Sequence, residues 1–456
     1  MSNSKVTFSS KIGLIAATVG SAVGLGNVWR FPAETQSNGG AAFLFIYIIC
    51  LFILGIPVML AEFSLGRGAK SDAVGAFTKL KPSTPWWVTG GLAVLASYLI
   101  LCFYMVVAGW TFEYLWQSLT GNLYSADLSK AAMDSSFHAK MESYICADIP
   151  PLINLYILIG INIAILMCGV QKGIERLSNI MMPILFLLLL VFCGVSLSLP
   201  GASEGLKFFL TPDFSKITPG VVVNALGQAF FSMSLGMGIL ITYASYFPKD
   251  TKLGKTAITV SFLDLLVAIL MGIVIFPAVA SFGLDESQLR GATLVFVTLP
   301  EIFAQMQFTQ LWSVLFFLLL FVAALTSTIS IAEVSVAWIQ DRFNKSRIIA
   351  SLIVMLPLFI FSSLCSLSFG SLSSLTIFGL TIFDFLDNLA TNIFLPVVSI
   401  LICCFMGWVV KKDFFKNEIT NNGKLKGKLF PIVYFIIKYI APPLILLILI
   451  SAFIKI

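Results

Sequence analysis

The chain has 456 residues, of which 58% are hydrophobic and only 11% charged. A soluble surface usually needs about 25% charged residues, so this composition excludes an ordinary soluble domain and makes lipid the main solvent. The net charge of +6 does not point to nucleic acid, because basic residues beside membrane helices normally set topology.

Apolar segments recur along the whole chain, at 12–36, 41–66, 87–117, 151–170, 177–199, 220–247, 256–283, 308–340, 348–367, 379–409 and 430–454. Each is predicted to be a membrane-spanning helix, because hydrocarbon cannot satisfy an open backbone. The first has Gly and Asn in its middle and no small-residue cleavage site after it, so it reads as a mature helix rather than a signal peptide. With the N-terminus inside, twenty Lys and Arg fall in the inner segments and five in the outer loops. That asymmetry predicts a cytoplasmic N-terminus and, after eleven crossings, an outside C-terminus.

The first and sixth segments share an oddity. One reads Gly20-Ser21-Ala22-Val23-Gly24-Leu25-Gly26-Asn27 and the other Ser232-Met233-Ser234-Leu235-Gly236-Met237-Gly238. Glycine costs about 1 kcal/mol in a helix interior. Close helix packing is one use for it. The spacing of two rather than four, and the offset of five segments, instead predict two five-helix repeats, each opening on a broken helix. The predicted division is 1–199, 218–410 and an additional helix at 430–454. Broken helices expose N–H groups and carbonyls that can hold an anion and cations.

Ionisable residues inside segments are expensive and mark function. Those singled out are Arg30 at the outer end of the first segment, Glu62 near the inner end of the second, Asp264 at the start of the seventh, and Asp384 and Asp387 in the tenth. The alternative for each is an interfacial charge that reaches water. In the eighth segment Ala323, Thr326 and Ser327 lie near one helix face, and their oxygens suit a small hard cation. Back-bonding of the hydroxyls to their own helix is the competing fate. Cys50, Cys102, Cys168, Cys193, Cys365, Cys403 and Cys404 fall in apolar runs and are expected to be buried. Cys146 and His138 lie in one polar loop, where His138 is expected to be solvated, and no metal or disulfide pattern is visible.

Several motifs together carry a resemblance. Gly24-Leu25-Gly26-Asn27-Val28-Trp29-Arg30-Phe31-Pro32, Asn38-Gly39-Gly40, Gly55-Ile56-Pro57 and Glu62-Phe63-Ser64-Leu65-Gly66-Arg67 belong to this set. So do Gly227-Gln228-Ala229-Phe230-Phe231-Ser232, Tyr243-Ala244-Ser245-Tyr246 and Leu325-Thr326-Ser327. Over roughly residues 5–410 the chain resembles the neurotransmitter:sodium symporters. The resemblance implies an all-α polytopic membrane protein with a LeuT-like fold, two inverted five-helix repeats and broken helices 1 and 6, a fold that itself illustrates the broken-helix principle.

It also implies a site. One sodium would be held by Ala22, Asn27, Ser232 and Asp264, the other by Gly20, Val23, Ala323, Thr326 and Ser327. The substrate carboxylate would meet Leu25, Gly26 and Tyr104, and its amine Ala22, Phe231, Ser232 and Ser234. The side chain would lie among Ile100, Tyr104, Phe231, Met237, Ser327 and Ile331. Arg30 and Asp387, with Phe231 and Tyr104, would gate the outside, and Lys5 and Asp341, with Tyr246, the inside. The chain departs from the family in Lys5 for Arg, Phe8 for Trp, Asp264 for Asn, and the lack of a twelfth helix.

The implied function is sodium-coupled symport of hydrophobic amino acids by alternating access in a bacterial inner membrane, with two sodium ions and no enzyme chemistry. The positions that surround chloride in animal relatives correspond to Tyr47, Gln228, Ser232, Asp264 and Ala268. Ala268 lacks their hydroxyl and Asp264 brings a charge, so chloride independence is expected. A substrate sensor, or a carrier of another small zwitterion, is the alternative on the same fold. A channel lacks a ring of charge or a filter loop here.

Overall fold

The computed structural model describes residues 6–124, 133–283 and 291–453, and among them one isolated β-bridge, Ile377 with Leu380, interrupts an otherwise helical and loop structure. Helices α1 (Lys11–Ala22) and α2 (Gly26–Ser37) form a single span bent by 54°. α3 (Ala41–Ala69) leads through the short α4 (Ala73–Leu80) to α5 (Trp87–Thr120). After α6 (Met133–Ile145) come α7 (Ile149–Met167) and α8 (Val170–Leu197). The short α9 (Ala202–Leu210) precedes a second interrupted span, α10 (Pro219–Ser232) and α11 (Ile239–Ser245). Then follow α12 (Leu253–Phe282), α13 (Gly291–Ala304), α14 (Thr309–Phe343), α15 (Arg347–Leu367) and α16 (Ile382–Val409). The chain ends on α17 (Lys412–Thr420) and α18 (Phe430–Ser451).

Among the described residues nine helices are long and apolar enough to cross a membrane, and the bent pair α1–α2 makes a tenth. The α10–α11 span is the remaining one, split by residues 233–238. The broken spans stand first in each half: α1–α2, α3, α5, α7 and α8, then α10–α11, α12, α14, α15 and α16. α14 and α5 run through the centre, with 78% and 72% of their most apolar stretches buried, whereas α18 has only 17%.

Local chemistry explains the breaks. α1 starts on Ser10, whose side chain accepts from the Gly13 N–H at 2.8 Å. It stops at Val23, which turns to an extended conformation. In the second break Ser234, Gly236 and Gly238 all have positive φ, a region costly for side-chain-bearing residues.

Several helices run differently from the hydropathy pattern. α8 starts at Val170, earlier than expected, because Lys172, Glu175 and Arg176 are polar yet helical. Glu175 has a use there: its carboxylate accepts from the backbone N–H and hydroxyl of both Ser9 and Ser10, at 2.8–3.1 Å. α12 begins at Leu253, so Asp264 lies well inside the helix and is fully buried, not at its mouth. α6 and α13 fill stretches expected to be loops. His138 is exposed on α6. Cys168 ends α7 and is exposed, against the expected burial, because the chain turns at Gly169 there. Cys404 is only partly buried, and Cys50, Cys102, Cys193, Cys365 and Cys403 are buried.

Candidate functional site

The two breaks face each other. Ser234 in the second donates its hydroxyl to the Ser21 carbonyl of α1 at 2.9 Å, which ties one break to the other. Beside this tie lies a compact oxygen nest. The Asn27 amide donates to Ser232 Oγ at 3.1 Å, to Asp264 Oδ1 at 2.8 Å and to the Asp264 carbonyl at 3.2 Å. Ser232 Oγ donates to Asp264 Oδ2 at 2.7 Å, and the Tyr47 hydroxyl stands 3.3 Å from Ser232 Oγ and 3.4 Å from Asp264 Oδ2. Asn27, Ser232, Asp264 and Tyr47 are essentially buried. The nest joins the start of α2, the end of α10, the middle of α12 and α3. Its oxygens converge on one electropositive group, the amide, which is the electrostatic requirement of a small cation. Ala22 lies at the end of α1, buried. Gln228 donates to the Gly26 carbonyl at 3.1 Å, and Ala268 is buried one turn beyond Asp264.

A second set joins α1 to α14. Ser327 Oγ is 3.5 Å from the Val23 carbonyl. A Cβ on Gly20 would stand 3.2 Å from Met182 Sδ and 3.4 Å from Thr326 Cβ, so α1 and α14 approach closely at this glycine. The Thr326 hydroxyl bonds back to the Val322 and Ala323 carbonyls, each at 3.1 Å. The back-bonding geometry is therefore present, and it places the Ala323 oxygen and the Thr326 hydroxyl side by side.

Between the two sets the Leu25 N–H donates to the Tyr104 hydroxyl at 3.2 Å. Gly24 sits at the crossing of the break, α5 and α14. A Cβ there would stand 2.6 Å from Ser327 Oγ and 3.0 Å from the Tyr104 hydroxyl. The apolar side chains Ile100, Met237 and Ile331 are all buried. Phe231 lies over the break, its ring edge 2.9 Å from where a Gly26 Cβ would be.

The Arg30 guanidinium lies 4.5 Å from the centre of the Phe231 ring. Its carboxylate neighbour is Glu34 at 4.0 Å. Among the described residues Arg30 and Asp387 form no direct ion pair; Asp387 lies one helical turn before Thr391, whose hydroxyl donates to the Asp387 carbonyl at 2.7 Å. A small cavity of about 240 Å³ is lined by Trp29, Arg30, Glu34 and their neighbours.

At the opposite end a cavity of about 1240 Å³ is lined by Val6, Lys70, Tyr246, Asp341 and Arg347, among others. Asp341 accepts from the Asp72 N–H at 3.0 Å. Phe8 donates its N–H to the Tyr246 carbonyl at 3.0 Å and packs edge-on against Tyr243 and Tyr246. Lys5 lies outside the described residues.

Two further carboxylates matter. Glu62 is buried and accepts from the Gly236 N–H at 2.8 Å, so it holds the break between α10 and α11. The sequence marks Glu62 as costly but cannot say what it touches. Glu333 is the second, absent from the residues the sequence singles out. It is buried on α14, takes the Tyr246 hydroxyl at 2.7 Å and pairs with Arg347 at 2.5 Å. An acidic residue within an apolar helix is the signal that points to it, and Arg347, one of the basic residues of the inner segments, is its partner.

Known proteins share the fold and the sequence over nearly the whole chain. The sodium-dependent transporter YhdH of Bacillus subtilis is 37% identical over 437 residues, covering 96% of this chain and 95% of that protein. The sodium-dependent serotonin transporter of Drosophila melanogaster is 28% identical over 93% of this chain and 73% of its own length. The crystal structure of MhsT in complex with L-phenylalanine superposes with a TM-score of 0.89 at 43% identity, covering 98% of this chain and all of that one. The fold is thus LeuT-like, and the protein is a sodium-dependent transporter rather than an enzyme. The model of the Sodium:neurotransmitter symporter family matches residues 5–143 and 150–456, and this chain belongs to that family.

Proposed function

We propose that this chain couples sodium to the uptake of a hydrophobic, zwitterionic α-amino acid by alternating access, without a need for chloride. The observation that carries the reading is the first break, tied to the second through Ser234 and Ser21 and lying against Tyr104 and Ser327, beside the Asn27–Ser232–Asp264 nest. The Leu25 and Gly26 N–H groups and the Tyr104 hydroxyl suit a carboxylate, and the carbonyls of Ala22, Phe231 and Ser232 suit an amine. Ile100, Met237 and Ile331 add an apolar pocket without a charged partner, which favours Leu, Ile, Phe, Tyr or Trp over glutamate, lysine or a monoamine. A related structure holding L-phenylalanine supports the same substrate class.

One sodium is assigned to Ala22, Asn27, Ser232 and Asp264, and a second to Gly20, Val23, Ala323, Thr326 and Ser327. The outer gate is assigned to Arg30, Asp387 and Phe231, and the inner to Lys5, Asp341 and Tyr246. The two repeats are assigned to 1–199 and 218–410, with 430–454 additional. The protein is placed in a bacterial inner membrane with its N-terminus inside.

Asp264 also bears on chloride. Its buried carboxylate lies against Tyr47 and Ser232, where it supplies fixed negative charge, while Ala268 offers no hydroxyl. A nearby chloride would be repelled at the low effective dielectric of a buried site. The test is uptake of labelled phenylalanine or leucine into proteoliposomes under a sodium gradient, in chloride and in gluconate. Wild-type uptake is expected to be equal in both and absent in potassium medium, and Asp264→Asn uptake should fall in gluconate. Collapse of wild-type uptake without chloride overturns the charge-substitution argument.

A further inference from the structure

The observation lies where the C-terminal end of α16 meets α18, among residues that take no part in the proposed ion and substrate sites. α18 is the least covered span, and Lys438 is rooted at its contact with Gly407 of α16. A Cβ on Gly407 would stand 3.1 Å from Lys438 Cα and 3.3 Å from its Cβ and Cγ. The Lys438 stem is therefore fixed by helix packing rather than free to swing. Its ammonium emerges among three rings, 5.9 Å from the centre of Trp408, 5.8 Å from Tyr434 and 5.4 Å from Tyr439. The Tyr434 hydroxyl donates to the Gly407 carbonyl at 2.9 Å, which holds that ring in place.

A second cation reaches the same ring. Lys412, exposed at the start of α17, has its ammonium 5.3 Å from the centre of Tyr434. Two like charges thus converge on one tyrosine, and among the described residues neither makes an ion pair with a carboxylate. Aromatic faces attract each ammonium but do not cancel the repulsion between them. An anion bound beside the two lysines would offset it.

We propose that Lys412, Lys438, Trp408, Tyr434 and Tyr439 form a binding site for the headgroup of an anionic phospholipid. Trp408 and Tyr439 are half exposed on the outer surface of the bundle, the setting of an interfacial aromatic belt. Further along α18, Leu446, Leu447 and Ile450 are exposed and offer apolar surface to acyl chains, which a soluble anion would not use. The adjoining segment carries exposed Lys411, Lys416, Lys424, Lys426 and Lys428, on the face the charge asymmetry puts inside. Basic pockets between helices on that face suit anionic headgroups.

The experiment is native mass spectrometry of the full chain, delipidated and then returned to phosphatidylglycerol or phosphatidylcholine. Phosphatidylglycerol should be retained several-fold more than phosphatidylcholine. K412Q/K438Q should lose that preference while sodium-dependent substrate binding is unchanged, and K412R/K438R should keep it. Equal retention of the two lipids by the wild type, or undiminished preference in K412Q/K438Q, overturns the proposal. So does inorganic phosphate displacing the lipid at millimolar concentration. Should K412Q/K438Q fail to fold, the wild type decides. Brominated phosphatidylglycerol should quench the Trp408 emission, isolated by difference with Trp408→Phe, more than brominated phosphatidylcholine, and equal quenching overturns the site.

Discussion

Asn27 makes one amide serve three acceptors, Ser232 Oγ, Asp264 Oδ1 and the Asp264 carbonyl, and all lie out of contact with solvent. A group placed this way contributes through electrostatics that water cannot screen. Hydrogen bonds to charged groups are worth about 1.5–3 kcal/mol, which corresponds to roughly a ten- to hundredfold change in an equilibrium constant. Asn27→Ala is therefore expected to weaken sodium-dependent substrate binding by about that factor. Scintillation proximity binding over a sodium titration measures it, with a melting curve to show that the variant is folded. A sodium response equal to wild type would remove Asn27 from the ion site. The motif around Asn27 was legible in the sequence because its neighbours are contiguous. Ser232 and Asp264, more than two hundred positions away, were legible only through the family resemblance, and that one amide reaches three of their oxygens was not legible at all.

At the scale of elements, α14 and α15 are joined by an ion pair whose carboxylate, Glu333, is fully buried and whose Arg347 is partly so. Arg347 pairs with Glu333 at 2.5 Å, donates its Nε–H to the Leu166 carbonyl at 2.7 Å and lies behind Tyr246 of the α10–α11 span. Removing one partner of a buried pair leaves an uncompensated charge and costs about 3–5 kcal/mol, whereas replacing both is often close to neutral. Arg347→Met is thus expected to lower the melting temperature strongly, and Glu333→Gln combined with Arg347→Met to restore most of it. If the double variant is as unstable as the single one, the pair does not act as a unit. Helix existence was readable from hydropathy throughout. Helix ends were less so: α8 extends over Lys172, Glu175 and Arg176 because Glu175 is occupied by Ser9 and Ser10. A scale that scores residues singly counts such a carboxylate as a loop residue.

For the whole molecule, orientation can be read with the cysteines the chain already has. Cys146, between α6 and α7, and Cys168, at the end of α7, are both exposed and lie at opposite ends of that span. A cytoplasmic N-terminus places Cys146 outside and Cys168 inside. A membrane-impermeant maleimide added to intact cells should label Cys146 at once and Cys168 only after permeabilisation, as Cys146→Ser and Cys168→Ser single variants will separate. The reverse pattern would invert the topology. By itself the sequence determined that the solvent is lipid, that the spans are helices and that two of them break, because each depends on composition and local spacing. Tertiary structure alone decided how the oxygens of the nest bond to one another, that Asp264 is buried within its helix, and that Glu62 and Glu333 have partners. Those facts depend on contacts between distant segments, and a span's period fixes which residues share a face without fixing the neighbour that face will meet.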